Sequence, residues 1–209
     1  MPKGSPELTA ARKEEIIAAC EKLYQTMSFK DITIKEIAEF TSFTRPSIYN
    51  YFETKEEIFL ALLQKEYERW TADLEEVIDN HDRMTRDEVA QVLARSLEQR
   101  EQLLKLMSMN HFDMETNCRM ERLTEFKTAF GNSIQTVDRM LQKFCPEMRA
   151  QNRENFLYAF FPFVYGIYPY AVVSDMQRKA MDEAGTNFVY HSIYELAYPC
   201  AKKLLEAEI

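Results

Sequence analysis

Apolar residues recur along this chain at three- and four-residue steps, and no run alternates apolar and polar between turn dipeptides. That spacing predicts helices and argues against strands. Ile16, Ile17, Cys20, Leu23, Tyr24 and Met27 form one such stripe and predict a first helix from about Thr9 to Ser28. A second, from about Ile34 to Phe40, turns Ile34, Ile37 and Ala38 inward, with Thr33 and Glu36 as a capping box. A third follows Thr44 and carries Pro46 in its first turn, where a missing N–H costs little. A fourth opens on a second Thr-x-x-Glu signature, Thr54 to Glu57, and runs into the 70s through Tyr67, Trp70, Leu74 and Val77.

After a break at Asp79–Asp82, Thr85 and Glu88 predict a fifth helix reaching about Leu97. Further helices are expected over about Glu101–Asn110, Cys118–Phe144, Arg149–Asp175 and Thr186–Ala207, the last kinked at Pro199. The expected fold is all-α, with about nine helices. Its organisation is a helix-turn-helix head over 1–53 and a larger body over 54–209. Only four glycines in 209 residues agrees with a helical chain.

Composition narrows the chemistry. The formal net charge is −8, which excludes binding nucleic acid by bulk positive charge. Residues 1–65 hold nine basic and ten acidic side chains, so the head is near neutral and the body carries about −7. DNA affinity would then rest on a few placed contacts and on helix N-termini. Cys20, Cys118, Cys145 and Cys200 are far apart, without zinc-ligand spacing, and suit reduced thiols in a cytoplasmic protein. The first residues, MPKGSPELTAARKEE, carry no apolar run of the secretory kind. No phosphate loop, Gly-x-Ser-x-Gly, HExxH or dense carboxylate cluster occurs, and His81, His111 and His191 are scattered, so an enzyme is not expected. No metal or cofactor is expected either.

Short helices over about fifty residues, the second and third joined by a tight turn, form a helix-turn-helix, whose third helix would meet the major groove by its N-terminal end. Thr44, Arg45 and Ser47 occupy that end. Arg45 suits guanine O6 and N7 or a phosphate; Thr44 and Ser47 suit phosphates or base edges. Tyr49 and Tyr51 offer hydroxyls to the DNA backbone, Thr33 at the cap of the second helix is a further candidate DNA contact, and Lys55 offers a charge to a phosphate. Ile48 and Phe52 are expected in the core. A plain three-helix bundle with exposed Tyr and Arg is the blander alternative.

The residues Thr33, Ile34, Glu36, Ile37, Ala38, Tyr49, Tyr51, Phe52, Thr54, Lys55, Glu56 and Glu57 stand in the register T-I-x-[DE]-I-A-x-x-A-G-V-S-x-G-T-[LIV]-Y-x-[YH]-F-x-[ST]-K-[ED]-[ED]-L. In that run, over about residues 10–60, the chain resembles the TetR family of transcriptional repressors. It departs where Thr41-Ser42-Phe43 replaces Ala-Gly-Val and Pro46 replaces Gly. Ser42 would tolerate a positive φ less well than glycine, and these changes are expected to alter operator preference.

The resemblance implies a homodimer on a palindromic double-stranded DNA operator, released by a small apolar or aromatic effector, with the fourth and sixth helices coupling pocket to head. Activation rather than repression stays open. It implies an interface made by the last two helices, for which Phe163, Ile167, Tyr170, Ala171, Tyr190, Ile193, Tyr194 and Ala197 are candidates. It also implies a pocket within the body, for which Met107, His111, Phe112, Phe126, Phe130, Phe160, Tyr165 and Tyr168 are candidates. Plain core is the alternative for both sets.

Residues 156–173, FLYAFFPFVYGIYPYAVV, are free of charge. Pro162, Gly166, Pro169 and four tyrosines make a buried helix the better reading than a membrane span. Two other functions remain: a helix-turn-helix dimer answering a protein or redox signal, and an all-α ligand carrier with a vestigial head.

Overall fold

The structure is a computed structural model that describes residues 5–109 and 111–207, with the backbone alone at 111–113. The described residues form eleven helices and no strand. They are α1 (Pro6–Tyr24), α2 (Ile34–Glu39), α3 (Arg45–Ile48), α4 (Lys55–Asn80), α5 (Arg86–Glu98), α6 (Glu101–Met107), α7 (His111–Thr116), α8 (Met120–Phe144), α9 (Ala150–Ala171), α10 (Asp175–Glu183) and α11 (Ile193–Glu206).

The two helices beyond the expected nine arise where capping or tertiary contact ends a periodic run. The Ser5 hydroxyl accepts from the Leu8 N–H and Pro6 sits at the first helical position, so α1 starts earlier than apolar spacing implies. The run expected over Cys118–Phe144 starts later, at Met120, and α7 precedes it. The expected Arg149–Asp175 helix stops at Ala171, and Ser174 with Gln177 caps a new helix, α10. Gly185, at φ 64°, and Asn187, at φ 48°, follow α10 in the left-handed region that α-helices cannot use. Ser192 and Glu195 then close the capping box that starts α11.

The chain divides into two compact units: Met1–Glu66 with Asn110–Phe130, and Tyr67–Met109 with Gly131–Ile209. The division therefore differs from a simple break after residue 53. In the first unit α2 packs on both α1 and α3. Ile16, Cys20, Ile32, Ile37, Ile48, Phe52, Ile58 and Phe59 are fully buried there. Tyr24 and Phe29 set their rings edge-on to Phe59, at 5.2 and 4.8 Å between centroids.

In the second unit α11 packs against α5 and α9, and α6 against α9. Trp70 is fully buried and its indole N–H donates to Ser96 Oγ at 2.9 Å. Tyr198 and Lys202 of α11 both reach Asp87 of α5, each at 2.7 Å. Hydrogen bonds from Lys202, then Tyr198 and Gln91, hold the Asp87 carboxyl down at about 2. Pro162, Pro169 and Pro199 lie inside helices but at exposed positions, where water can reach the carbonyls they leave without a donor.

Among the described residues no single helix is long and apolar enough to cross a membrane. The pair α9 and α10, bent by 82°, would match a broken span by length and composition only.

Candidate functional site

The turn between α2 and α3 is built from the outside. Thr33 caps α2: its hydroxyl accepts from the Lys35 N–H at 3.2 Å, and its own N–H donates to Glu36 at 3.1 Å. At the far end of α2 the Thr41 hydroxyl shares its one proton between the Ala38 and Phe43 carbonyls, each at 3.0 Å. Ser42 stands where glycine was expected to be needed. Yet the left-handed region among described non-glycine residues holds Asn187 alone, so Ser42 carries no such strain. Glu15, on α1, accepts from both the N–H and the hydroxyl of Ser42 and fixes the turn. The Phe43 ring lies against Tyr51, and the Arg12 guanidinium lies over that Phe43 ring, 5.9 Å from its centroid.

The third helix is a single turn, anchored by Ile48, which is fully buried. Thr44 makes no side-chain bond to the backbone of its first turn; its hydroxyl pairs with Ser47 Oγ at 3.2 Å. Thr33, Thr44 and Arg45 are exposed, Ser47 half-buried, and Tyr49 is 45% exposed. Arg45 Nη2 donates to the Tyr49 hydroxyl at 3.2 Å, so these two side chains form one unit on the free face of α3.

Two expected DNA contacts are placed otherwise. Tyr51 is 4% exposed, and its hydroxyl accepts from Arg12 Nη1 at 3.1 Å, because its ring is needed in the core beside Phe43. Lys55 turns its ammonium to the Phe29 and Ile32 carbonyls, at 2.9 and 3.3 Å, and sits 4.1 Å from the Phe29 ring centre. The loop carbonyls before α2 capture that charge. Ile48 and Phe52 are buried, in line with their expected place.

The Thr54–Glu57 signature is not closed as a local box. The Thr54 hydroxyl accepts from the Glu57 N–H at 3.2 Å and donates to the Asn117 carbonyl at 3.0 Å. The Glu57 side chain, 1% exposed, instead accepts from the Glu53 N–H at 2.9 Å. Arg119 grips it in a fork, Nε on Oε1 and Nη2 on Oε2, both at 2.7 Å, and adds its backbone N–H at 3.1 Å. Nη2 also donates to the Tyr51 carbonyl at 3.2 Å. Burial alone would push the Glu57 carboxyl up; the hydrogen bonds from Arg119 and the two backbone amides outweigh it and hold it below the usual range.

Sequence reasoning missed Arg12, Glu15 and Arg119. Each acts across a long chain separation, and no local pattern marks Glu15 or Arg119. For Glu57, marked in the sequence as the end of a capping signature, its place directly before the apolar run Ile58–Leu63 is the local hint of burial.

The residues expected to line a pocket divide between the units. Phe126 and Phe130 belong to the first, and Met107, Phe160, Tyr165 and Tyr168 to the second. Met107, Phe126 and Phe160 are buried. The Tyr67 hydroxyl donates to that of Tyr165 at 3.1 Å. The side chains of His111 and Phe112 lie outside the described residues. Cavities of the second unit include one of about 380 Å³ between α4 and α5, lined by Leu74, Val77, Asn80, Val92, Arg95 and Ser96 among others. A second, of about 320 Å³ and largely apolar, is lined by Pro162, Phe163, Gly166, Ile167, Tyr170 and Leu196.

Of the residues expected at an interface, Phe163, Ile167 and Tyr170 line that apolar groove, and Tyr170 is 59% exposed. Ile193 and Ala197 are buried within the single chain, while Ala171, Tyr190 and Tyr194 are half-buried. The burial of Ile193 and Ala197 fits the packing of α11 on α5 and α9. The Tyr190 hydroxyl is buried with no hydrogen-bond partner among the described residues, and the Arg178 guanidinium lies 4.3 Å from its ring centre.

Residues 16–62 match the family model described as bacterial regulatory proteins, tetR family. Residues 64–190 match a tetracyclin repressor-like C-terminal domain. An HTH-type transcriptional repressor, Rv1474c of Mycobacterium tuberculosis, is 26% identical over 72 residues, covering 34% of this chain and 38% of that protein. A TetR/AcrR-family regulator from Thermobifida fusca superposes with a TM-score of 0.61 at 15% identity, covering 95% of this chain and 99% of its own. The regulator FadR from Bacillus subtilis, solved in complex with stearoyl-CoA, gives a TM-score of 0.59 at 14% identity, covering 92% and 97%. Those two likenesses agree in fold, and the two family matches account for both the helix-turn-helix and the helices that follow it: the chain belongs to the TetR family of bacterial regulatory proteins.

Proposed function

We propose that the chain is a dimeric, one-component transcriptional regulator that binds a short palindromic operator and is released by a small apolar or aromatic effector. The observation that carries this reading is the free first turn of α3. It presents Thr44, Arg45 and Tyr49 outward while Ile48 anchors the turn from behind. Arg45 supplies the bidentate donor for a guanine edge. Thr33, Thr44 and Ser47 supply hydroxyls for phosphates, and the near-neutral head gives a modest salt slope. Tyr51 and Lys55 support that surface from within the fold rather than reaching DNA.

A second copy would bring two heads to half-sites one turn of the duplex apart, about 34–36 Å. The apolar groove of α9 and α11 supports the pairing, since Phe163 and Tyr170 keep exposed apolar surface there while Ile167 closes its floor. The effector belongs to the second half of the chain in this reading. The stearoyl-CoA bound by the Bacillus subtilis regulator puts long-chain acyl-CoA thioesters into the first effector panel. A redox signal has less support. Burial, then the carboxylates of Glu57, Glu56 and Glu115, raise the Cys118 thiol to about 12, and burial also lifts Cys20 and Cys145. Thiols so protonated are poor nucleophiles toward oxidants.

Selection of bound sequences from a random DNA pool tests this reading. The expected product is an inverted repeat, bound less tightly as salt rises. Arg45→Ala is expected to cost about 1–3 kcal/mol on that operator and to relax one base position. A chain that enriches no sequence would end the proposal, and unchanged affinity in the Arg45 variant would remove that residue.

A further inference from the structure

The ion pair between Glu57 and Arg119 does more than bury a charge. Glu57 accepts from the N–H of Glu53, just before α4, and from the N–H of Arg119, just before α8. One carboxylate therefore ties together the starts of two helices, where backbone N–H groups are free and the helix dipoles favour negative charge. Arg119 completes the joint with its fork on Glu57 and a bond to the Tyr51 carbonyl, three residues beyond the end of α3. Thr54 adds its bond to the Asn117 carbonyl. Arg122 lays its guanidinium 6.0 Å from the Phe52 ring centre. The short stretch from Asn117 to Arg122 thus holds the elbow between α3 and α4 through three separate side chains of the head.

We propose that Arg119 is a positioning residue for DNA reading. Through Glu57 and the Tyr51 carbonyl it fixes the angle at which α3 leaves the rest of the head. The start of α8 is thereby the handle on which that angle depends. Arg119 touches no base and no phosphate in this scheme. The proposal rests on the reading of α3 as the DNA-facing helix, while the joint itself is a separate claim about the elbow.

Arginine is required by the geometry. Lysine keeps the charge but has no planar fork, so it can satisfy one carboxylate oxygen or the Tyr51 carbonyl and not all three together. Removal of the cation leaves Glu57 buried without its main partner. The elbow then loses the restraint while the exposed face of α3 keeps every side chain that would meet DNA.

The test compares the full-length chain with Arg119→Lys, Arg119→Gln and Glu57→Gln, on the operator selected from a random pool and on a scrambled duplex of equal length. Amide hydrogen exchange is measured alongside, well below each melting temperature. The expected result is operator affinity lowered by about three- to thirtyfold in the Arg119 variants, a range set by typical couplings through packed networks. Affinity for the scrambled duplex and the salt slope stay the same, because no phosphate contact is lost. Faster exchange at Tyr51–Glu53 is expected in each variant, with Arg119→Lys between wild type and Arg119→Gln. A merely structural role would lower melting temperature and both affinities together, and would overturn the proposal. So would an Arg119→Gln chain with wild-type operator affinity. If Arg119→Gln does not fold, Arg119→Lys carries the same comparison. If the wild-type chain selects no DNA, the functional reading fails, and unchanged exchange at the elbow in Arg119→Lys would separately refute the joint.

Discussion

Two Thr-x-x-Glu runs lie twenty-one residues apart, and they end up as different objects. Thr33 and Glu36 close on each other at the exposed start of α2 and make a complete local box. Thr54 and Glu57 begin the same way, with the threonine oxygen taking the glutamate's N–H. There the glutamate is fully buried and its carboxylate goes to Arg119, sixty-two residues on. A capping signature reports reliably that a helix starts, because the backbone N–H groups need acceptors wherever they are. It does not report what the glutamate is for. That depends on whether a cation from elsewhere arrives to compensate burial.

The contrast can be broken most directly at the buried run. Arg119→Ala is expected to destabilise the first unit by about 2–3 kcal/mol. That is below the usual cost of stranding a buried charge, since water reaches the arginine side of the pair. Glu36→Ala, at the exposed run, is expected to leave chemical denaturation almost unchanged. Equal effects from the two would erase the distinction.

The threonines give a smaller split. Thr33→Ala removes a cap worth about 1 kcal/mol. Thr54→Ala removes a cap and the bond to the Asn117 carbonyl, and is expected to cost about 1.5–2 kcal/mol on the same principles. Denaturation midpoints measured side by side check the order of the two.

Acid separates the runs more finely. Hydrogen bonds from Thr33 hold Glu36 below the usual carboxylate range, and those from Arg119 and two amides do the same for Glu57 against its burial. A folded-state carboxyl lowered in this way stabilises the fold above its unfolded pKa, and that stability disappears as pH falls through the folded value. The stability difference between wild type and Glu57→Gln should therefore narrow as pH drops through the acid range. A difference that stays constant down to the lowest pH at which the chain is folded would show that the Glu57 charge is not what the joint uses.

Much of the fold was legible from local chemistry. The stripe from Ile16 to Tyr24, the Thr33 and Thr85 boxes and the Pro46 turn all mark helices where helices stand. Ser174-x-x-Gln and Ser192-x-x-Glu are marks of the same kind, and they start α10 and α11 where the apolar spacing alone predicts neither start. The free face of α3 was readable because exposure there follows from which neighbours turn inward. The placement of Tyr51 and Lys55 was not. An amphipathic tyrosine and a lysine suit either a phosphate or a backbone carbonyl, and Arg12, Phe29 and Ile32 settle the matter from distant parts of the chain. Ser42 shows the reverse: a departure from the family's glycine that looked costly is absorbed by Glu15.

Four residues cannot keep a helix by their own hydrogen bonds. On the proposed reading, α3 is accordingly less a rod than a tile, held by Glu15 at the turn before it and by Arg119 at the elbow after it. Drift in operator preference among related chains need not begin at the tile's surface. If α3 reads DNA as proposed, a change in either holder re-aims an unaltered Arg45, and new target sequences are acquired through residues that never meet a nucleotide.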